Sequence, residues 1–243
     1  IFLNTTWCCI LPGYAPELIK DIRAAGHEIA FHFDAQSITF PDIFSYDSLE
    51  AQFEEFKENS HINFPILSNK NHYTRWEGKV EFFKWLNNLG IIIDQSKGPS
   101  KCGTLGFPFG TAHPWQPMKG TMDISGESQF IDILELSFQS QDPSLQGPIE
   151  TWKYLVDECI YVNGVVHFIF HPAHADKPLV AKTMQEFIQY CYEKGCMFLR
   201  SDEIAQWTLF RKKYIRNGGQ ISDKMGENLS NWANKIIIKT QET

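Results

Sequence analysis

Histidine and carboxylate side chains follow several separate apolar segments of the chain. His32 lies near the end of one segment with Asp34 soon after it, His72 follows a second, Asp94 ends a third, and His171 follows a fourth. Imidazole and carboxylate groups bind divalent metals and transfer protons near neutral pH. Because such a site draws its groups from separate rigid elements, the pattern predicts a metal or acid–base site where these segments end.

The elements that must position these side chains alternate between short strands and amphipathic helices. This alternation predicts an α/β fold with a parallel sheet and helices outside it, and the number of units favours a barrel-like closure. In such folds the site lies at the C-terminal ends of the strands. The predicted strands cover residues 1–5, 28–33, 65–68, 91–93, 130–138, 165–170 and 196–199, and the predicted helices cover 16–25, 47–59, 77–89, 149–162, 181–194 and 202–213.

Composition limits the class of protein and its partners. The 43% of hydrophobic and 21% of charged residues exclude a disordered or fibrous chain. The net charge of −7 argues against a nucleic-acid partner, and no apolar run approaches the ~20 residues of a membrane span. We expect one domain over residues 1–243, with 217–243 as a polar C-terminal extension, and the oligomeric state stays open. The 6 cysteines show no paired spacing, which favours a reducing compartment such as the cytoplasm.

Aromatic and histidine side chains in loops are candidates for substrate contact. His113 and Trp115 belong to a Gly- and Pro-rich stretch within the long segment 95–129, and a loop of this length is usually functional. This stretch either covers the cleft and stacks on a sugar ring, or packs on itself at the surface. Trp76 is either a core residue or a second stacking ring, and His174 is either a substrate contact or a loop residue.

Five motifs in order resemble the polysaccharide deacetylases of carbohydrate esterase family four. The clearest is Gly-His-Glu-Ile-Ala-Phe-His at 26–32, which is similar to the GHEIxxH signature of that family. The others are the preceding segments 1–3 and 16–19, residues 71–76 in the place of the arginine–proline motif, residues 90–96 with a G…DxS pattern, and residues 168–172, where an apolar strand leads to a histidine. The resemblance spans roughly residues 1–210.

The resemblance implies a distorted seven-stranded β/α barrel that hydrolyses an N-acetyl group on a sugar with a divalent metal, for which we expect Zn²⁺. Transferred residue by residue, it makes His32 the first metal-binding histidine and His171 the acid. Asp94 then matches the carboxylate that holds the basic residue of the third motif, a position that Lys70 occupies here.

The chain departs from the family pattern at three places. The Asp-Asp motif, which supplies the base and one metal ligand, would lie before residue 1, and Gln36 stands where the second metal-binding histidine is expected. Lys70 replaces the arginine of the third motif, and this register brings His72 into the site. We expect His72 or Asp34 to complete the metal ligands. The alternatives are a hydrogen-bonding loop residue for His72 and an Asx turn for Asp34.

The resemblance, together with these residues, implies a metal-dependent hydrolase that removes an acetyl group from an amino-sugar or polysaccharide. Two alternatives remain open. One is a metal-poor hydrolase of the same superfamily that cleaves the C–N bond of a small amide. The other is a catalytically inactive barrel that binds carbohydrate.

Overall fold

A computed structural model describes residues 3–36, 43–99, 104–119, 130–142, 145, 147–216 and 218 of the chain. These residues form a mixed α/β structure with a parallel sheet and six α-helices. The strands are β1 (Thr6–Cys9), β2 (Glu28–Phe33), β3 (Ser68–Asn71), β4 (Ile93–Asp94), β5 (Leu134–Glu135), β6 (Ser140–Gln141) and β7 (Phe168–Ile169). The helices are α1 (Pro16–Ala24), α2 (Tyr46–Asn59), α3 (Glu81–Asn88), α4 (Ile149–Tyr161), α5 (Pro178–Glu193) and α6 (Ser201–Arg216). Two 3₁₀ helices cover His72–Thr74 and Pro172–His174.

The strands form two parallel sheets, one in the order β1-β2-β3-β4-β5 and one of β6 and β7. Strands β5 and β6 lie on one short stretch of chain that joins the sheets. Leu136 N donates to Asp94 O of β4 at 2.8 Å, and a few residues later Gln139 N donates to His167 O beside β7 at 2.9 Å. The same stretch therefore continues the first sheet and begins the second.

The predicted seven-stranded barrel is not confirmed, because the described residues form 5 and 2 paired strands without a closed barrel. All six predicted helices are present, but the first strand begins at Thr6, and residues 196–199 pair in no strand. Instead, the chain just before and at the start of α6 approaches β1 and β2 through single hydrogen bonds. Ser201 N donates to Thr6 Oγ1 at 2.9 Å, and the Arg200 guanidinium donates to Gly26 O at 3.2 Å.

The main core lies between the sheet and helices α1, α2 and α3. Because side chains alternate along a strand, β2 directs Phe31 and Phe33 towards these helices and His32 to the opposite face. The Phe31 ring meets Phe53 and Phe56 of α2 at centroid distances of 5.4 and 5.7 Å. Burial of this apolar face fixes the register of β2 and thereby the face on which His32 lies.

A second aromatic cluster holds β7 against α4 and α5. Trp152 of α4 is fully buried and stacks on Phe168 of β7, with ring centroids 4.3 Å apart. Phe187 of α5 meets the same indole edge-on at 5.1 Å. This cluster fixes the strand that leads directly to His171.

Three expectations concern the remaining parts of the chain. The expected C-terminal extension 217–243 lies outside the described residues apart from Gly218. Within the described residues, none of the helices has the length and apolar character needed to cross a bilayer. The five described cysteines are free thiols, and the compartment stays a prediction.

Removal of the Trp152 side chain is expected to destabilise the fold strongly. Trp152→Ala should lower the free energy of unfolding by about 3–5 kcal/mol, because it leaves a cavity among packed rings. The control Tyr161→Ala lies on the same helix with a side chain that is 84% exposed, and its effect should stay within about 0.5 kcal/mol. Urea denaturation measures both variants, and equal effects would contradict the assigned packing.

Candidate functional site

The candidate site lies where strands β2, β3 and β7 end. His32 and Lys70 are register partners on β2 and β3, His72 is the first residue after β3, and His171 follows β7. Parallel strands end at one edge of a sheet, which brings the first three residues together. The charge of His171 also contributes to lowering the pKa of His32, so the β7 end lies within electrostatic reach of the β2 end.

His32 is held by the backbone of the neighbouring strand. Its Nδ1 lies 2.8 Å from the carbonyl oxygen of Lys70. A carbonyl oxygen can only accept, so Nδ1 carries the hydrogen and Nε2 keeps the lone pair of the neutral ring. This is the tautomer of a histidine whose Nε2 binds a metal while Nδ1 donates to a carbonyl group.

The surroundings of His32 keep its ring neutral. Burial, followed by the positive charges of Lys70 and His72, lowers the pKa of His32 to about 3. A protonated imidazole has no lone pair for a metal, so a lowered pKa preserves the ligand form.

His72 and Asp34 form a second histidine–acceptor pair beside His32. His72 Nδ1 donates to Asp34 Oδ1 at 3.0 Å, and the His72 ring lies 5.3 Å from the His32 ring. Asp34 Oδ1 also accepts from Gln36 N at 3.2 Å. The carboxylate therefore makes the local turn contact expected of an Asx turn and orients an imidazole at the same time.

His171 is oriented by a carboxylate that the sequence analysis did not select. His171 Nδ1 donates to Asp142 Oδ2 at 2.6 Å, and the His171 backbone N donates to Asp142 Oδ1 at 2.8 Å. Burial raises the pKa of Asp142, but the two hydrogen bonds and the charges of His171 and His174 outweigh it, so the pKa is lowered overall. The Asp142 carboxylate is thus an anion that fixes the ring of a half-exposed histidine.

His174 joins this pair. Its Nδ1 lies 3.3 Å from Asp142 Oδ2, and within the described residues Asp142, His171 and His174 are the one group of three possible metal ligands whose atoms lie within 4.8 Å of one another. The expected ligands His32, His72 and Asp34 lie near one another but are not brought as close. Their role as a metal site stays a proposal.

Lys70 and Asp94 are placed on opposite faces of the sheet. The register puts Lys70 beside His32 and Asp94 beside Asn69, and successive side chains of a strand alternate between faces. Lys70 Nζ donates to Gln95 O at 3.4 Å, while Asp94 Oδ1 accepts from Asn69 Nδ2 at 2.7 Å. No ion pair joins Lys70 to Asp94, both of which the structure describes, so Asp94 acts on Lys70 through its charge rather than by contact.

Two buried carboxyl groups lie side by side on β4 and β5. Asp94 and Glu135 are register partners, and both side chains are fully buried. Burial and then the charge of Asp94 raise the pKa of Glu135 well above its usual value. A raised pKa favours the neutral form of Glu135, which avoids two negative charges side by side in the interior.

The predicted aromatic contacts have protein partners of their own, and Trp76 lies beside the ammonium group of Lys97, which follows β4. Lys97 Nζ is 3.6 Å from the centre of the Trp76 ring. The Trp115 ring packs against the Phe83 ring, with centroids 6.0 Å apart, and Trp115 Nε1 donates to Ser137 Oγ at 3.2 Å. His113 is exposed. Both indoles are therefore partly occupied by protein contacts.

Sequence reasoning missed two residues, Asp142 and Tyr73. Asp142 directly follows β6 and obeys the same strand-end rule that selected the histidines, but the predicted strand ended at residue 138. Tyr73 lies next to His72, is 66% exposed, and has a left-handed backbone with φ of 55°. Nothing in its sequence neighbourhood indicates that conformation.

The similarity of this chain to known proteins is found in structure and not in sequence. No family model and no curated protein matches the chain. A crystal structure named "putative polysaccharide deacetylase from Mycobacterium smegmatis" matches with a TM-score of 0.58 and 19% identity, over 81% of this chain and 68% of that chain. The chain has a deacetylase-like fold. At this identity, the match to the deacetylase concerns the fold and not the activity.

The His32 assignment predicts an imidazole that stays neutral over the usual pH range. Because its pKa is lowered from 6.5 to about 3, the ring should keep its Nδ1–H tautomer from pH 8 down to about pH 4 and take up a proton only below that. Long-range ¹H–¹⁵N NMR of the metal-free protein distinguishes the two nitrogens. A titration midpoint near 6.5, or a hydrogen on Nε2, would contradict this placement.

Proposed function

We propose that this chain is a metal-dependent hydrolase that removes an acetyl group from an amino-sugar unit of a carbohydrate. The observation that carries the proposal is the shared arrangement of His32, His72 and His171. Each ring gives its Nδ1 hydrogen to an oxygen acceptor, which is Lys70 O, a carboxylate of Asp34 or a carboxylate of Asp142. Each ring therefore keeps Nε2 for a metal or a substrate. The deacetylase-like fold supports the same reaction class.

A divalent metal fits the donors at the ends of β2 and β3. His32 and His72 offer two Nε2 lone pairs, and the backbone carbonyl and Asp34 behind them are the outer partners that metal-binding histidines usually have. His32 and His72 would hold the metal, with Asp34 as their supporting carboxylate or as a ligand itself. Two imidazoles with a carboxylate suit Zn²⁺. A metal held there supplies polarisation of the acetyl carbonyl and of a water molecule.

His171 supplies the proton in the proposed reaction. Loss of an acetyl group from an amide nitrogen leaves an amine, which departs only when it is protonated. His171 holds a proton at Nε2 and delivers it to that nitrogen, while Asp142 fixes the ring through Nδ1 and stabilises its charged form. A carboxylate base would belong to the Asp-Asp motif that the family resemblance places before residue 1.

Lys70 and Asp94 have supporting roles at this site and do not react with the substrate themselves. Burial lowers the pKa of Lys70 to about 8, and the charge of Asp94 opposes that shift. We assign Lys70 the role of the basic residue of the third motif, beside His32. Asp94 helps to keep that ammonium charged without touching it.

The substrate would bind over aromatic and histidine side chains. His113, Trp115, Trp76 and His174 are the contacts proposed from sequence, and the exposed ring of Tyr73 beside His72 is added by the structure. Sugar rings pack on flat aromatic surfaces, and such clefts place a few polar groups among them.

Replacement of His171 tests the acid. His171→Ala should lower the turnover of acetate release from N-acetylated chito-oligosaccharides by about 10²–10⁴-fold, which is the usual contribution of a general acid. The metal bound by the His32 group should be retained. The matched control is His61→Asn, an exposed histidine whose left-handed φ of 48° suits asparagine.

The protein is assayed at its full natural length. Unchanged turnover in His171→Ala removes this residue from the mechanism. Oligosaccharide binding without acetate release by the wild type would instead favour the inactive carbohydrate-binding barrel.

Replacement of Tyr73 tests the stacking surface. Tyr73→Ala should raise KM by about 3- to 10-fold with little change in kcat, because one ring contact is worth about 0.5–1.5 kcal/mol. Tyr73→Phe retains the ring and should behave as the wild type. A KM that stays the same in Tyr73→Ala, with Tyr161→Ala as the surface control, would place the sugar elsewhere.

A further inference from the structure

Asp142, His171 and His174 have the donor set and the spacing of a cation site. Asp142 Oδ2 lies 2.6 Å from His171 Nδ1 and 3.3 Å from His174 Nδ1. His171 directly precedes the 3₁₀ helix Pro172–His174, His174 is the last residue of that helix, and the carboxylate follows β6. Two imidazole nitrogens thus approach a single carboxylate oxygen from one short segment.

His174 Nδ1 is the unusual atom of this group. It is buried and has no hydrogen-bond partner, even though it lies 3.3 Å from the Asp142 oxygen. A buried polar atom without a partner is unfavourable by about 1–3 kcal/mol and requires an explanation. The carboxylate oxygen is already engaged by His171, so a positively charged ion is a partner that could satisfy all three groups together.

The chemistry of the three donors favours Zn²⁺. Imidazole nitrogen and carboxylate oxygen bind Zn²⁺ at about 2.0–2.2 Å, which places adjacent ligands of a tetrahedral ion roughly 3.3 Å apart. The His174–Asp142 distance has this value. The His171–Asp142 distance is shorter because a hydrogen bond joins those atoms, and it must lengthen when an ion enters. The side chains of His171 and His174 are 51% and 32% exposed, which leaves an open approach for the ion.

We propose that Asp142, His171 and His174 form a second divalent-cation site, and that Zn²⁺ bound there inhibits the enzyme. The ion binds Nδ1 of the neutral His171 ring, and the single ring hydrogen moves from Nδ1 to Nε2. This hydrogen then stays on Nε2, because a metal-bound neutral imidazole neither accepts a further proton nor releases its last one readily. His171 can no longer pass a proton to a leaving amine. The inhibitory consequence rests on the proposed function, whereas the cation site itself does not.

Zinc titration of the metal-free, full-length protein tests the site directly. Isothermal titration calorimetry with ZnCl₂ should show binding that His174→Gln weakens by more than about 100-fold. His32→Ala should leave this binding intact, because it removes only the other proposed site. The control His61→Asn should bind zinc as the wild type does. Circular dichroism checks that each variant is folded.

The result that would overturn the site is zinc binding with the same affinity and stoichiometry in His174→Gln as in the wild type. A second measurement concerns the consequence: excess Zn²⁺ should lower acetate release by the wild type, relative to its own rate without the excess, at concentrations that do not lower the rate of His174→Gln relative to its own. Equal inhibition of both proteins would overturn the inhibitory role. If the wild type releases no acetate at all, the proposed function fails, while the calorimetric comparison still decides whether the site exists.

Discussion

The hydrogen bond from His32 Nδ1 to the Lys70 carbonyl oxygen connects the fold to the chemistry of this protein. It joins β2 to β3 through a side chain, and it sets which nitrogen of His32 carries the hydrogen. The bond depends on the register in which His32 lies beside Lys70, and that register depends on the burial of Phe31 and Phe33 on the other face of β2. A shift by one residue would turn His32 towards the helices and a phenylalanine towards the site.

The same device recurs with carboxylates in place of the carbonyl group. Asp34 holds His72 and Asp142 holds His171, each through Nδ1. A ring fixed in this way has a defined tautomer and a defined orientation, which are the two properties needed in a metal ligand or a proton donor. In all three histidines Nδ1 donates a hydrogen bond that orients the ring. Their proposed roles differ because Nε2 faces a metal in some of them and the substrate in another.

The sequence predicted the helices better than the bounds of the strands. Helices α1 to α6 have clear apolar periodicity, so their positions could be expected. His32 lies near the end of an apolar strand and His171 follows another, which is why both were selected. The bounds of β4 to β7 were harder to predict, because each of these strands is only two residues long. Asp142 was missed because the predicted strand ended at residue 138, whereas the chain continues into β6 of the second sheet. Lys70 and Asp94 lie on opposite faces of the sheet, because Asp94 lies beside Asn69 and the side chains of Asn69 and Lys70 alternate along β3. The sequence motif that pairs Lys70 with Asp94 carries no information about these faces.

Zinc-edge anomalous diffraction from crystals of the protein grown with excess Zn²⁺ locates every bound ion. We expect a strong peak bonded to Nε2 of His32, with Nδ1 of the same ring still donating to the Lys70 carbonyl oxygen, besides any peak at Asp142, His171 and His174. The absence of a peak at His32, or a His32 ring rotated so that Nε2 faces the backbone, would contradict this assignment.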